Sequence, residues 1–378
     1  MRRTQLDEVG EFGLIDRLIP AWDAGWRRGR QELAASGEGE SPDGGQLIKS
    51  CLRLGVGDDA AAINIPAGKT LLTTTDMLVE GVHFLWLPPR TRLLGRKALA
   101  ANISDIAAMG GLPGWAFLSI GIPPGAEVED VEELYAGMGE MAGRFGVVLA
   151  GGDTVRSGKW LVSVTLLGLA SRAPITRSGG RAGDLILITG TVGDSAAGLH
   201  LLLNSGSCRG ALSGEEEDYL LSRHLDPLPR VEEARALVEH GGATAMIDVS
   251  DGVASEVHHI CRNSACGALL DLDCLPVSAQ ARKLASAAGL PAYQWALYGG
   301  EDYELLFTAP PDAAPSLIEQ VRLRTGTSVT VIGRLTGAEE GVAAVFPGEP
   351  GGKPSPLPAR GYNHFAPPAG RDGDRDEG

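Results

Sequence analysis

The stretch that decides the fold runs from Leu54 to Phe84 and reads LGVGDDAAAINIPAGKTLLTTTDMLVEGVHF. Residues 71–75 are apolar and β-branched, which predicts a short buried strand with Asp76 at its carboxyl end. Ligands bind at that end of the strands in α/β sheets. Asp59 follows a glycine turn, where a backbone can approach a ligand without a Cβ in the way. Ordinary turn chemistry explains an Asp-Asp pair after glycine equally well, so this stretch by itself leaves both interpretations open.

The composition of the 378-residue chain bounds its class. A prior of roughly 150 residues per domain gives about two domains, and 43% hydrophobic residues suffice for sizeable cores. The net charge of −15 argues against a broad basic face for nucleic acid, but divalent cations can bridge carboxylates to a small phosphorylated substrate. The sequence shows no membrane-spanning run and no signal peptide, and its five cysteines lack C-x-x-C spacing. We therefore expect a cytoplasmic protein with reduced thiols and no membrane or nucleic-acid partner.

The alternation of apolar and polar segments predicts an α/β (α+β) chain of two domains. We place the first domain at residues 1–170 and the second at residues 171–365, with the boundary in the polar, glycine-bearing residues 171–183. Residues 366–378 are rich in glycine, proline and charge, which predicts a disordered tail.

The segment before the opening stretch is predicted to be peripheral. Residues 11–19 carry an amphipathic pattern typical of a short helix. Residues 20–50 lack a core pattern and contain a run rich in Gly, Glu, Ser and Pro, which predicts a surface insertion. We expect replacement of residues 25–45 with a short Gly/Ser linker to leave activity largely intact.

Hydrophobic periodicity predicts the remaining elements. Helices are expected at 94–111, 130–145, 195–203, 231–240 and 255–263, and strands at 147–150, 160–169, 185–189, 245–247 and 269–272. Glycine-acid turns follow several strands, as in Gly151-Gly152-Asp153-Thr154. The glycine turn at 190–194, between a strand and a helix, is a candidate anion site at a helix N-terminus.

Six aspartates recur at strand ends, at glycine turns or on a small-residue helix: Asp59, Asp76, Asp105, Asp153, Asp248 and Asp251. If they converge, two carboxylates roughly 5 Å apart repel by about 3 kcal/mol at an effective dielectric constant near 20. Cations must then neutralise the cluster. Oxygen ligands without His or Cys favour Mg²⁺ or Mn²⁺, and Mg²⁺ usually serves substrate phosphates. The composition of the site therefore points to phosphoryl chemistry.

Several longer sequence motifs, here called words, resemble those of a known family. These words are Gly57-Asp58-Asp59-Ala60, Thr75-Asp76-Met77-Leu78-Val79, Gly81-Val82-His83-Phe84, Asn102-Ile103-Ser104-Asp105-Ile106-Ala107-Ala108-Met109-Gly110, Gly151-Gly152-Asp153-Thr154, Thr176-Arg177-Ser178-Gly179, Gly193-Asp194-Ser195-Ala196-Ala197-Gly198, Asp248-Val249-Ser250-Asp251-Gly252 and Gly300-Glu301-Asp302-Tyr303-Glu304-Leu305. In this order they resemble the thiamine-monophosphate kinase family. The resemblance implies a two-domain fold like that of aminoimidazole ribonucleotide synthetase, and a homodimer formed through strands of the N-terminal domain.

The same resemblance implies roles for individual residues. The implied magnesium ligands are Asp59, Thr74, Thr75, Asp76, Asp105, Asp153, Asp248 and Asp251. The implied ATP contacts are Tyr135, Gly152, Asp153, Arg177 and Ser250, and the implied thiamine-phosphate contacts are His83, Glu301 and Tyr362. The implied reaction is direct, Mg²⁺-assisted, in-line transfer of the γ-phosphoryl group of ATP to thiamine monophosphate, the last step of thiamine diphosphate biosynthesis. It needs no acid, base or nucleophile from the protein, because the acceptor phosphate is already ionised near neutral pH.

Three alternatives are weighed against this interpretation. One is a non-catalytic sensor of ATP or metal on the same fold, which the presence of His83 and Glu301 disfavours. A selenophosphate synthetase needs a reactive Cys or selenocysteine in a glycine-rich N-terminal segment, and Cys51 is not so placed. The hydrogenase-maturation relative ends in a reactive cysteine, whereas this chain ends Asp376-Glu377-Gly378.

Overall fold

The computed structural model describes residues 3–36, 44–204, 210–347 and 352–360. Its helices are α1 (Leu6–Ser36), α2 (Gly44–Cys51), α3 (Thr91–Ala108), α4 (Val128–Phe145), α5 (Asp194–Leu203), α6 (Gly214–Leu225), α7 (Val231–His240), α8 (Val253–Ser264), α9 (Ala279–Ala288), α10 (Tyr293–Tyr298) and α11 (Ala314–Thr325). Its strands are β1 (Leu52–Leu54), β2 (Ala62–Ile63), β3 (Thr70–Val79), β4 (Leu112–Ile122), β5 (Val148–Arg156), β6 (Leu161–Ala170), β7 (Leu185–Thr189), β8 (Ala245–Asp248), β9 (Gly267–Asp271), β10 (Leu305–Ala309), β11 (Val329–Thr336), β12 (Val342–Val345) and β13 (Ser355–Pro356). Among these residues, no helix has the length and apolarity needed to cross a membrane.

The first sheet has the strand order β3-β6-β4-β5, in which the pairing of β4 with β5 is parallel and the others are antiparallel. The prediction of a short buried strand ending before Asp76 is wrong. Strand β3 continues to Val79, and its side chains alternate between a covered face and an open face, with Leu71 exposed and Leu72 buried. Asp76 therefore lies inside the strand and not at its end.

Two other features of this sheet differ from the sequence-based expectation. The predicted turn Gly151-Gly152-Asp153-Thr154 is part of strand β5. Strand β4 was not predicted, because Pro113 and Gly114 near its start are poor strand residues. A register shift between Pro113 and Trp115 accommodates them.

Helices α3 and α4 cover one face of this sheet, and the helix predicted at 94–111 corresponds to α3. Alanine and other small residues bring α3 close to the sheet, and its side chains are buried almost all round. The helix also contacts β8 and α7 of the second half of the chain. It thus lies between the two halves and can present residues to both.

Residues 20–36 are not a surface excursion. They belong to α1, which is kinked at Gly10 (φ 66°); the part of α1 after this kink packs on α4 and buries Leu18, Trp22 and Leu33. Burying a leucine side chain contributes about 1.5–3 kcal/mol. Residues 44–51 form α2, with Ile48 fully buried against the open face of the first sheet. Both described parts of the predicted insertion therefore contribute buried residues to the core; residues 37–43 lie outside the described residues.

Glycines explain why the sequence pattern of α1 was misleading. A Cβ on Gly29 would lie 1.9 Å from the carbonyl oxygen of Glu140 in α4, and one on Gly25 would lie 2.0 Å from that of Ala136. The helices touch backbone to backbone, so these positions exclude any side chain. Gly25 and Gly29 therefore mark a helix contact within residues 20–36, where the absence of a core pattern predicted a surface insertion.

The second sheet has the strand order β13-β12-β9-β11-β7-β10-β8, and the pairing of β12 with β9 is its parallel pair. The predicted strand 185–189 and helix 231–240 coincide with β7 and α7. Helices on both halves and two largely antiparallel sheets confirm the mixed α/β (α+β) class. The domain bounds of 1–170 and 171–365 stay predictions, and the tail predicted at 366–378 lies outside the described residues.

Candidate functional site

Three of the predicted metal ligands come together where the two halves of the chain meet. Asp76 lies on β3, Asp105 on α3 and Asp248 at the end of β8. The Thr74 hydroxyl donates to Asp105 Oδ2 at 2.5 Å, and the Ser104 hydroxyl donates to Asp248 Oδ2 at 2.7 Å. We call Asp76, Asp105 and Asp248 the acidic cluster.

The electrostatics of the acidic cluster show that these carboxylates are close and poorly solvated. Burial raises the pKa of Asp76 to about 6, and the charge of Asp105 adds to the effect. Burial and the charge of Asp105 likewise raise the pKa of Asp248 to about 7. Burial also raises the pKa of Asp105, against the lowering effect of the Thr74 hydrogen bond and the Arg177 charge. The cluster therefore carries negative charge that favours a cation.

Arg177 is the predicted ATP contact that faces this cluster. Its charge lowers the pKa values of both Asp105 and Asp248. Its side chain is exposed, and its backbone oxygen accepts a hydrogen bond from the Ser264 hydroxyl at 3.3 Å. A guanidinium in this position suits phosphate oxygens, because its planar fork can bind two of them at once.

Strand alternation separates the other predicted ligands from the acidic cluster. Thr74 and Asp76 point to the helix-covered face of β3, whereas Thr75 points to the open face, where its hydroxyl lies 3.0 Å from that of Thr165. Cross-strand pairs connect Asp153 on β5, through Ser119 on β4 and Ser163 on β6, to Met77 on β3. Paired residues lie on the same face of a sheet, and Met77 shares the open face with Thr75, so Asp153 also lies on the open face. Three strand spacings separate β5 from β3, or about 14 Å.

Tyr135, Gly152 and Asp153 form a second group, which we call the β5-edge group. Burial raises the pKa of Tyr135, with a further contribution from the Asp153 charge. A cavity of about 70 Å³ joins these residues to Ile15 and Ile19 of α1 and to Val56, which lies in the turn before Asp59. Asp59 itself is exposed in this turn. Residues of helix α1 therefore line the cavity beside the predicted nucleotide contacts, a position that the sequence of α1 did not indicate.

One large cavity, of about 1060 Å³, connects the acidic cluster with the predicted substrate contacts. The predicted site residues on its lining are Thr75, Asp76, His83, Ser250, Asp251 and Glu301. His83 Nδ1 accepts a hydrogen bond from the Val79 backbone N–H at 3.0 Å. This contact leaves Nε2 as the nitrogen that carries the proton in the neutral ring. Tyr362, the third predicted substrate contact, lies outside the described residues.

The loops that carry Ser250 and Glu301 are joined backbone to backbone. The Glu301 N–H donates to the Ser250 carbonyl at 2.9 Å, and the Tyr303 N–H donates to the Val249 carbonyl at 2.9 Å. Glu301 and Tyr303 have φ values of 65° and 51°, a region that non-glycine residues rarely adopt. Such strain persists where the surrounding structure enforces it, commonly at functional sites. These hydrogen bonds join the loop that carries the predicted substrate contact Glu301, which we call the substrate loop, to the loop that carries the predicted metal ligand Asp251, which we call the metal loop.

Glu256 and Tyr303 are site residues that sequence reasoning missed. Glu256 is buried and accepts a hydrogen bond from the Asp251 backbone N–H at 2.9 Å, so it holds the metal loop in place. Burial raises the pKa of Glu256 to about 8, with contributions from Asp248 and Asp251. The buried Tyr303 lines the large cavity. Glu256 follows the Asp251-Gly252 turn on α8, but no motif distinguished it from a surface helix residue.

The candidate anion site at the N-terminus of α5 is already filled by the protein. The Asp302 carboxylate accepts hydrogen bonds from the Gly193 N–H at 2.6 Å and from the Ser195 N–H at 3.0 Å. The prediction of a free anion site in this turn is therefore wrong. Asp302 instead ties the substrate loop to α5.

The described residues do not place three carboxylate, imidazole or thiol side chains around one point. The donor set nevertheless fits a hard cation, because the acidic cluster offers buried carboxylate oxygens at raised pKa, next to the Thr74 hydroxyl. Asp251, on the same cavity, adds a further oxygen donor. These residues are the ones that could hold Mg²⁺.

Comparison with known proteins places this site in a class. Two family models match the chain, the AIR synthase related protein N-terminal domain over residues 57–170 and the corresponding C-terminal domain over residues 181–345. The fold and the site therefore define an AIR synthase related protein. A thiamine-monophosphate kinase of Escherichia coli O157:H7 is 41% identical over 323 residues, covering 84% of this chain and 93% of the relative. The chain belongs to the thiamine-monophosphate kinase family, and it is a kinase.

Solved structures agree with this assignment. A thiamine-monophosphate kinase from Stenotrophomonas maltophilia superposes with a TM-score of 0.71 at 35% identity, covering 79% of this chain and 93% of that one. AaThiL complexed with AMPPCP and TMP superposes with a TM-score of 0.67 at 33% identity, covering 97% of this chain and 99% of that one. The family assignment also decides against the two sister families considered from the sequence.

Proposed function

We propose that this protein transfers the γ-phosphoryl group of ATP to thiamine monophosphate and forms thiamine diphosphate. The observation that carries the proposal is the large cavity, where Asp76 and Asp251 share one space with His83 and Glu301. Phosphate-side and heterocycle-side residues thus face the same volume. The relative crystallised with AMPPCP and TMP supports the same pair of substrates.

In this proposal the chain contributes position and charge. Arg177 and the backbone around Ser250 bind phosphate oxygens, and the β5-edge group binds the nucleotide. Asp76, Asp105, Asp248 and Asp251 would hold Mg²⁺, which would supply neutralisation of the charge on the transferring phosphates. His83 offers a neutral N–H donor, and Glu301 a carboxylate, to thiamine monophosphate. Because the acceptor phosphate is already ionised, transfer is direct and in line.

The open face of the first sheet supports a homodimer as part of the proposal. Met77 on β3 is 56% exposed and Val155 on β5 is 53% exposed, and each of these strands is an edge of the sheet. Edge strands with exposed apolar residues invite pairing with another chain. Sedimentation should give a dimer, and Met77→Glu should shift it toward monomer. A wild-type monomer at all concentrations would refute this part.

The activity is tested by ADP formation from ATP and Mg²⁺ with and without thiamine monophosphate. We expect ADP and thiamine diphosphate in equal amounts only when both substrates are present. An ATP-binding protein with no turnover would instead indicate a sensor. Transfer to a chirally labelled γ-phosphorus should proceed with inversion, and ATP alone should leave no label on the protein. Retention of configuration, or a phosphoenzyme trapped by acid, would contradict direct transfer.

A further inference from the structure

Lys97 is a buried cation that none of the roles above uses. It lies on α3, two turns before Asp105, and is 4% exposed. Its Nζ is 2.7 Å from Glu301 Oε2, a contact that joins α3 to the substrate loop. A buried ammonium group is costly without a compensating partner, so this ion pair fixes both side chains.

His224 of α6 completes the surroundings of the same carboxylate oxygen. Its Nδ1 lies 3.5 Å from Glu301 Oε2 and 3.1 Å from the Ser195 hydroxyl. Burial lowers the pKa of His224 to about 3, and the Lys97 charge contributes, so the ring is neutral at physiological pH. The neutral imidazole adds no charge, and its Nδ1 is hydrogen-bonded to the Ser195 hydroxyl beside the Glu301 carboxylate.

The backbone of Glu301 is held independently of its side chain. Its φ of 65° is maintained by the hydrogen bond to Ser250 and by the neighbouring Asp302 carboxylate, which binds the α5 N-terminus. Those contacts leave the direction of the Glu301 side chain undetermined. The ion pair with Lys97 sets it, and the His224 ring lies beside the same carboxylate oxygen.

We propose that Lys97, assisted by His224, is a positioning residue that orients the Glu301 carboxylate toward the heterocycle of the substrate. This inference rests on the proposed function and deepens it. Lys97 and Asp105 both lie on α3. The helix that holds the Glu301 carboxylate through Lys97 therefore also carries part of the acidic cluster. Lys97 touches Glu301, and its effect on the substrate passes through that carboxylate. The ligand class is a heterocycle that presents an N–H donor or a positive charge.

Calorimetric binding of thiamine and of thiamine monophosphate tests the inference without needing turnover. Lys97→Met should weaken binding of both compounds by a similar factor of about 10 or more, as expected for loss of a charge-assisted hydrogen bond. The calorimetric Kd for ATP should change less than about 2-fold. Lys97→Arg should restore part of the affinity, because it keeps the charge. Lys283→Met, which removes an exposed lysine paired with Glu216, is the matched control and should leave binding unchanged.

A double-mutant cycle separates the alternatives. Lys97→Met combined with Glu301→Gln should bind thiamine no worse than Glu301→Gln alone, because the two residues act as one unit. If Lys97 contacted the substrate phosphate directly, thiamine would bind normally to Lys97→Met, and the losses of thiamine monophosphate affinity caused by the two substitutions would add; either result overturns the inference. Equal losses for ATP and thiamine would indicate a purely structural role and overturn it as well. Should Lys97→Met not fold, Lys97→Gln gives the same comparison.

The wild-type protein distinguishes failure of this inference from failure of the proposed function. If wild type binds neither thiamine nor thiamine monophosphate, the proposed function fails and the inference fails with it. If wild type binds both and Lys97→Met binds both equally well, the inference alone is refuted.

Discussion

The acidic cluster and the β5-edge group occupy opposite edges of the same four-stranded sheet. In the sequence, both regions are marked by short motifs of glycine or threonine followed by aspartate. In the structure, the aspartates of the two regions have different surroundings. Asp76 and Asp248 are desolvated between α3 and the second half of the chain, and their pKa values are raised. Asp153 lies on the open face, and Asp59 lies in an exposed turn. Identical residue types thus form a buried charged centre on one edge and lie in the open, next to the predicted nucleotide contacts, on the other.

The difference teaches that burial, and not motif, assigns the roles of these aspartates. A carboxylate that loses solvent next to another carboxylate becomes a strong cation site, because the cation removes a repulsion that water no longer screens. An exposed carboxylate has no such requirement. The predictions below test this division, from the largest expected effect to the smallest.

Removing one charge from the acidic cluster should have the largest effect. Asp76→Asn should lower turnover by about 100-fold or more, because loss of even an indirect metal partner costs 10–100-fold. The variant should fold and, without metal, be at least as stable as wild type, since a repulsion is relieved. Steady-state rates at limiting Mg²⁺ and thermal unfolding in EDTA measure both. The exposed Asp312→Asn is the control, and near-normal turnover of Asp76→Asn would refute the assignment.

The packing of α1 behind the β5-edge group gives the next effect. Gly29→Ala forces a Cβ against the Glu140 carbonyl, and overpacking of this kind costs about 1–3 kcal/mol. Urea unfolding should show this loss. Gly45→Ala is the matched control, because its nearest neighbour beyond the chain is 3.8 Å away. An unchanged stability for Gly29→Ala would mean that α1 does not pack on α4 and that residues 20–36 are peripheral after all.

A substitution in the β5-edge group should alter nucleotide binding alone. Tyr135→Leu removes the aromatic ring of this group, and stacking of a base on such a ring is worth about 1–3 kcal/mol, so the KM for ATP should rise by about 5-fold or more. The KM for thiamine monophosphate should stay within about 2-fold, because Tyr135 does not line the large cavity. Tyr293→Leu, which removes a ring packed on Phe346, controls for general loss of packing. Equal changes in the KM values for ATP and for thiamine monophosphate would contradict the prediction that the β5-edge group affects nucleotide binding alone.

The pH dependence of stability should show the smallest effect. The raised pKa values of Asp248 (about 7) and Glu256 (about 8) mean that the folded protein holds protons which the unfolded chain has released. Metal-free stability should therefore fall as pH rises from 6.5 to 8, by at most about 1.4 kcal/mol per pH unit for each titrating group. Below about pH 6.5 the neutral, buried His224 has the opposite effect, so the test is confined to this window. Urea unfolding in EDTA should show a shallower slope for Glu256→Gln, and a wild-type stability that rises over the window would contradict the prediction.

The sequence by itself determined the family, the two-domain α/β class and several elements, because these depend on local words and local periodicity. Strand 185–189 and helix 231–240 were predicted at their observed bounds, since each is an uninterrupted apolar or amphipathic run. The sequence motifs around Asp105, Asp248 and Glu301 likewise predicted residues that lie together in the site.

Tertiary structure alone decided how these residues are grouped. Residues 20–36 lacked a core pattern in the sequence, and only the backbone of α4 against Gly25 and Gly29 shows that this segment is a packed helix. Thr74 and Thr75 lie on opposite faces of β3, and only the structure shows which of these faces the helices cover. The pairing of Lys97 with Glu301 joins positions 204 residues apart. Contacts between distant segments follow from packing and desolvation, and neither has a signature in the order of the residues.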